Sequence, residues 1–389
     1  MSSIHNHGKN PATNRPAGTI DADLAALTQR VASLENTVKD HEARIAALEK
    51  PVIVPIPPDP LPPSNFPWPS LQAAIDAAAV GGTVDATGHT FTETVTIQKP
   101  LTIKGGTIDG GGTRQEWVRV WSPDVFLDGF TGRNAAPGAY HTGSIVVTAA
   151  RFHARNLIAS GGCYANLQLW PGATDALLEG CDLSAAQVPL IGFQCHRLHM
   201  TGGKVHGATG TSDLGNESGG MKCAETTDAV IDGVEWFGNI GPGIWFDGAC
   251  RNLLIQNGHA HDNTESGIMV EITDTFAIKN NVVNRNGSEA GGNAYTRRAG
   301  IFLSTDRNGT VTGNTVAWNS PVCADISFVS QNRVDSPGAG DGNFATGNIL
   351  RSAVAGVAYY SVDYPNGPKP VMTPNTLLAD TDPRISALK

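Results

Sequence analysis

The chain has 389 residues, of which 40% are hydrophobic, 45 are glycine and 24 are proline, and it carries a formal net charge of −9. That length supports one sizeable core with extensions, while the acidic balance argues against nucleic acid as a partner and is neutral about sugars. No apolar run reaches the ~18 residues that a spanning helix needs, so no membrane insertion is expected.

Residues 1–19 are polar and rich in Asn, Pro and His, and read as a flexible attachment segment that is extended unless a partner orders it. Met1 to His7 lacks the basic and apolar regions of a secretory signal. Its His5/His7 pair has metal-ligating chemistry, although a solvated tail is the simpler reading, and no metal is assigned. A heptad seam runs through residues 20–50: Ile20, Leu24, Leu27, Val31, Leu34, Val38, His41, Ile45 and Leu48 alternate by four and three. A lone helix of this length is marginal in water and needs partner strands. With Leu24, Val31, Val38 and Ile45 at a, and Leu27, Leu34 and Leu48 at d, the core residues alone favour two strands.

Residues 51–69 are Pro-rich and read as a stiff, extended linker. Ser70 then caps a short helix, Leu71–Ala79, ended by Gly81-Gly82, which would cover the open end of a repetitive domain. That domain, residues 70–358, is built on a repeat. Gly243-Ile244-Trp245-Phe246-Asp247 is answered by Gly267-Ile268-Met269-Val270-Glu271 and by Gly300-Ile301-Phe302-Leu303-Ser304. A second apolar run opens at Ile231, Ile255, Ile278 and Val311, at intervals of 24, 23 and 33 residues, the last lengthened by a polar insertion around Ser288–Arg298.

Short β-prone segments with Gly and Asn corners at a fixed period signal a solenoid. The reading is an all-β, right-handed parallel β-helix. A leucine-rich repeat lacks its consensus here, and a propeller blade would be longer. Side chains alternate across a strand, so Ile244 and Phe246 face inward and Trp245 and Asp247 outward. Asn281, Asn314 and Asn348 share one corner, where Asn tolerates the left-handed conformation and can hydrogen-bond along the stack. Residues 359–389 lose the period and read as a C-terminal cap. Six cysteines (163, 181, 195, 223, 250 and 323) form no CxxC pair and are expected to be buried free thiols.

Aligned coils place Lys222 beside Trp245 and Met269, with Asp247 under Glu271. Two carboxylates one strand spacing apart repel unless a cation or a shared proton compensates. Glu217 closes a Gly-rich insertion, Ala208–Gly220, that would fold beside this face. Lys222, Asp247, Glu271 and Glu217 are therefore the catalytic candidates. Trp245, as a flat platform for a sugar ring, joins His259, His261, Arg297 and Arg298 as the carbohydrate-binding candidates.

Three stretches resemble known families. Arg30-Val31-Ala32-Ser33-Leu34-Glu35 and Arg44-Ile45-Ala46-Ala47-Leu48-Glu49 resemble a motif of parallel three-stranded coiled coils, which implies a homotrimer with a dimer as the alternative. Leu71 to Gly105 resembles the entry to pectin-lyase-like β-helices. Glu217-Ser218-Gly219-Gly220-Met221-Lys222, with Gly241 to Asp247 and Gly267 to Ile272, resembles a pattern of bacterial and phage β-helix proteins, which implies a carbohydrate-facing site. Stem, linker and β-helix together resemble a bacteriophage tail spike or tail-tip protein. That implies a virion protein made in the host cytoplasm, joined to other tail proteins through residues 1–19, and recognising host-surface polysaccharide. The alternative is a polysaccharide depolymerase, a lyase or a hydrolase. No cofactor is expected, except Ca²⁺ if the protein is a lyase.

Overall fold

The structure, a computed structural model, describes residues 66–210, 215–288, 297–320, 323–331, 342–351, 356–361 and 369–389. The attachment segment, the coiled-coil stem and the linker up to residue 65 lie outside the described residues.

From residue 82 onward the chain winds through three parallel sheets of 11, 12 and 11 strands. Each turn gives one strand to each sheet, and each strand pairs with its counterparts one turn earlier and later. Ile244–Asp247, for example, lies between Met221–Ala224 and Ile268–Glu271, with Ile244 opposite Met221 and Ile268. Strand pairing among the described residues is therefore non-local and supplied by the neighbouring coil.

The corner from first to second sheet is two residues long in nearly every coil, and its first residue is left-handed. Gly202 at φ 58° and Asn280 at φ 56° illustrate why Gly and Asn recur there. The left-handed position differs by one residue from the expected one. Asn281, Asn314 and Asn348 are not the left-handed residues; Asn280, Gly313 and Gly347, just before them, are. The second corner residue instead builds a ladder, in which Asn281, Asn314 and Asn348 each donate from Nδ2 to the Oδ1 of the next Asn, ending on Asn375, all at 3.0 Å. A second ladder joins Asn239, Asn263, Asn286 and Asn319 at 2.8–2.9 Å.

The interior is a stack of aliphatic columns. In the third sheet it runs through Leu167, Leu190, Met221, Ile244, Ile268, Ile301 and Ile326, all fully buried. Each such side chain contributes on the order of 1.5–3 kcal/mol of burial free energy. All six cysteines are buried free thiols, and burial pushes Cys250 up to about 12.

The outer face of the third sheet is also covered. Its outward column of Gln168, Ile191, Lys222, Trp245, Met269 and Phe302 is buried throughout. The cover comes from the connections that enter this sheet. Ala299 and Cys323 join Trp245, Met269 and Phe302 in an apolar cluster separate from the main core. The connections before the strands Gly143–Val147 and Met221–Ala224 lean over neighbouring coils in the same way.

At the N-terminal end the helix Leu71–Ala77 lays Leu71, Ala74 and Ile75 into the core. Ser70 Oγ accepts from Ala73 N (3.0 Å), and the Glu93 carboxylate accepts from Leu71 N (2.6 Å), so the first-turn donors are satisfied. At the other end the period persists beyond residue 359, contrary to expectation. Val357–Ser361 still pairs in the third sheet, and Thr376–Leu378 ends the second. The final helix, Pro383–Ser386, tucks Ile385 against Ala317 and Leu378 on the flank of the second sheet.

Candidate functional site

A cleft of about 360 Å³ opens where the connections overlie the third sheet, lined by Tyr140, His141, Trp170, Phe193, Glu217, Lys222 and Asp247 among others. Strand register explains the lower part. Trp170 comes directly after Leu169, which pairs with Gly192, so Trp170, Phe193, Ala224 and Asp247 form one column at the sheet's trailing edge. Lys222 lies one position inward of that edge, on the outward side two residues before Ala224.

The upper part is built around Glu217, from the connection before Met221–Ala224. Glu217 is only 5% exposed. Tyr164 Oη donates to its Oε1 at 2.5 Å and Tyr140 Oη to its Oε2 at 3.1 Å, with His141 Nε2 2.5 Å from Oε2. A buried carboxylate held by two phenols and an imidazole is fixed in position, because charge-assisted hydrogen bonds to ionised oxygen are the strong kind. Tyr140, 55% exposed, stacks on His141 with centroids 3.7 Å apart. His141 meets Trp170 edge-on, and Trp170 meets Phe193 likewise, giving a continuous aromatic wall.

Lys222 forms the opposite pole. It is 8% exposed, its Nζ is 2.9 Å from Asp247 Oδ2, it donates to the Asn216 carbonyl, and it lies 3.5 Å from the Trp245 ring centroid. The cation expected to offset the Asp247/Glu271 repulsion is therefore Lys222, engaged on Asp247. Glu271 lies on the far side of Asp247 and lines a neighbouring depression of about 210 Å³ with Arg297 and Ser304. Beneath them Asp306 is fully buried. Burial, with the nearby Glu271 and Asp247 carboxylates adding to it, pushes its carboxyl well above the usual range.

Of the sequence candidates, Glu217, Lys222 and Asp247 come together in one cleft and Glu271 borders it. Trp245 is not an exposed platform. It is 1% exposed, with Lys222 on its ring and the Arg297 guanidinium 4.7 Å from the ring centroid, because the insertions roof the face that alternation assigns to solvent. Arg297 does reach over this face, bonding the Gly215 carbonyl (2.8 Å) and Glu265 (3.0 Å). Arg298, the next residue, is half-buried and does not line the cleft. His259 and His261 lie on the second sheet and take no part in the cleft. Tyr140, His141, Tyr164, Trp170 and Phe193 were missed. They belong to coils before the sharper motifs, and only their aromatic character next to third-sheet strands would have marked them.

Comparison with known proteins bears on the fold. Residues 145–316 match the model of the right handed beta helix region. No curated protein sequence matches the chain. Among solved structures, the periplasmic alginate epimerase AlgG is similar at TM-score 0.52 and 11% identity, over 77% of this chain and 84% of that one. The A-module of the Azotobacter vinelandii mannuronan C-5 epimerase AlgE4 is similar at TM-score 0.47 and 16% identity, over 78% and 95%. The Dettilon tailspike protein is similar at 0.48 and 12%, over 73% and 66%. With three parallel sheets wound from single-strand steps and a matching central region, this chain is a right-handed parallel β-helix.

Proposed function

We propose that the third-sheet cleft binds a polysaccharide, and that the protein is a tail-spike-type receptor-binding protein presenting this cleft to a host-surface glycan. The observation that carries the reading is the cleft itself: an aromatic wall of Tyr140, Trp170 and Phe193 faces the fixed polar groups Glu217, Lys222 and Asp247. Sugars have apolar faces that stack on aromatic rings and hydroxyls that need placed donors and acceptors, and a concave site with few convergent polar groups supplies both. The heptad seam and Pro-rich linker ahead of the β-helix support the spike part of the reading.

A second reading, cleavage of the bound glycan, is favoured by one specific feature. Glu217 with His141 and Asp247 with Lys222 line the same cleft, which gives it two carboxyl groups and two bases, the residue types that acid–base chemistry at a glycosidic bond uses. The test incubates the full chain with host envelope polysaccharides and monitors binding, unsaturated products by ultraviolet absorbance, and new reducing ends. Binding is expected to fall at least about tenfold, roughly 1.4 kcal/mol, in Trp170→Ala, and to survive in Glu217→Gln. Products that appear with the intact chain and vanish in Glu217→Gln or Lys222→Ala establish cleavage. Unchanged binding in Trp170→Ala removes the cleft from the account.

A further inference from the structure

A second cluster lies away from the cleft, on the outer face of the second sheet. The strand His259–His261 reads His-Ala-His, so alternation turns Ala260 into the core and both imidazoles outward. In register, Glu235 of the preceding coil stands opposite His259, and Phe237 opposite His261. One ligand atom from each of Glu235, His259 and His261 can be chosen so that all three lie within 4.8 Å of one another. All three side chains are half-buried, open enough for a small ion to reach them.

The hydrogen bonds around these residues suit imidazoles held for a metal ion. Asn284 Nδ2 donates to the Leu388 carbonyl (2.8 Å), so its Oδ1 faces His259 Nε2 (2.7 Å) and accepts from it. His259 is left with its lone pair on Nδ1. His261 Nδ1 is 2.6 Å from Asp262 Oδ2, and Asp262 is itself clamped by Arg285 at 2.8 and 2.7 Å. Arg285 Nη2 also lies 3.4 Å from His261 Nδ1, and His261 Nε2 faces Glu235 Oε1 at 3.2 Å, where a neutral imidazole protonated on Nδ1 offers its lone pair to an ion. Either a proton on Nε2 or a metal ion satisfies both atoms.

We propose that Glu235, His259 and His261 bind a divalent transition metal of zinc's borderline class, linking two adjacent coils of the second sheet. Two imidazoles and one carboxylate are a ligand set that zinc takes with a water in the fourth position. Asp262 on His261 and Asn284 on His259 are the outer partners that orient metal-bound imidazoles. Bonds of ~2.0–2.1 Å at tetrahedral angles place donors about 3.3 Å apart, close to the 3.2 Å already between Glu235 Oε1 and His261 Nε2. Lys204 Nζ, 3.9 Å from Glu235 Oε2, sits on the oxygen turned away from His261. The ion would pin the two coils before the one whose Asn284 and Arg285 hold the Leu388 carbonyl.

The test is calorimetric titration of the full chain with Zn²⁺ in a non-chelating buffer, with Co²⁺ absorbance as a reporter of tetrahedral coordination. His5→Ala/His7→Ala serves as the background, so that the N-terminal histidine pair contributes nothing. One Zn²⁺ per chain is expected in that background. Binding should be lost in His261→Ala and strongly reduced in Glu235→Gln, and it should weaken about 10–100-fold in Asp262→Asn. Circular dichroism checks each fold, and if His261→Ala does not fold, His259→Asn and Glu235→Gln decide the matter alone. Absence of Zn²⁺ binding in the His5→Ala/His7→Ala background, or equal binding in Glu235→Gln, overturns the assignment.

Discussion

Single residues on the third sheet show how position and environment separate. Alternation puts Trp245 on the outward side, which is correct, but outward is not exposed once an insertion lies over the strand. Nothing local to Trp245 encodes that cover, because it comes from Arg297 and its neighbours two coils on. Lys222, Asp247 and Glu217 were legible because their motifs fall in consecutive coils. Tyr140 and His141 come from a connection whose lean cannot be read from strand periodicity, whereas Trp170 and Phe193 follow the strand register. A different, buried residue makes the clearest pH prediction. Asp325 is buried, and burial pushes its carboxyl up to about 7 although it accepts from Arg351 N at 2.9 Å. Its folded-state value exceeds the unfolded one, so the folded state binds more protons between about pH 4 and 7, and stability falls as pH rises through that window. The effect is on the order of a few kcal/mol, and Asp306 acts in the same direction. The depression of His259 by burial acts oppositely. The informative measurement is therefore the difference: thermal midpoints of Asp325→Asn should decline less from pH 4 to 7 than those of the parent, and parallel slopes would exclude Asp325 as the source.

At the scale of the element, the corners carry as much information as the strands. The ladder Asn239, Asn263, Asn286 and Asn319 repeats the intervals 24, 23 and 33 of Ile231, Ile255, Ile278 and Val311, so it is as legible in the sequence as the Asn281 series. Asn263 is fully satisfied. Its Nδ2 donates to the Trp236 carbonyl (3.1 Å) and to Asn286 Oδ1 (2.8 Å), and its Oδ1 accepts from the Asn239 side chain and backbone. Asn263→Ala removes all of these inside a buried stack, and each orphaned group costs about 1–3 kcal/mol. Asn375 makes as many bonds at the end of the other ladder, but it is part-buried, so water can take the place of the bonds it loses. Urea unfolding should show a clear fall in midpoint for Asn263→Ala and a smaller one for Asn375→Ala, with unchanged slopes. Equal falls would mean the ladders act only through their backbone turns.

For the whole molecule, the period made the fold legible, while the oligomeric state rests on residues 20–50 alone. A stem with Arg-x-x-x-x-Glu flanks predicts a trimer, so sedimentation equilibrium of the full chain should give three times the 40.7 kDa chain mass, and a chain starting at Pro51 should sediment as a monomer. A monomeric full chain would remove the spike from the account. The two kinds of corner also differ in what they permit over evolutionary time. A residue gained or lost between first and second sheet would displace a left-handed bend and break an asparagine ladder, so that corner is closed to change in length. The corner before the third sheet carries connections as different as 185–189 and 207–220 with no loss of register in the strands they lead into. Since Tyr140, His141 and Glu217 come from those connections, the upper part of the cleft can diverge by insertion and recombination there while the folding code of the coils is inherited unchanged.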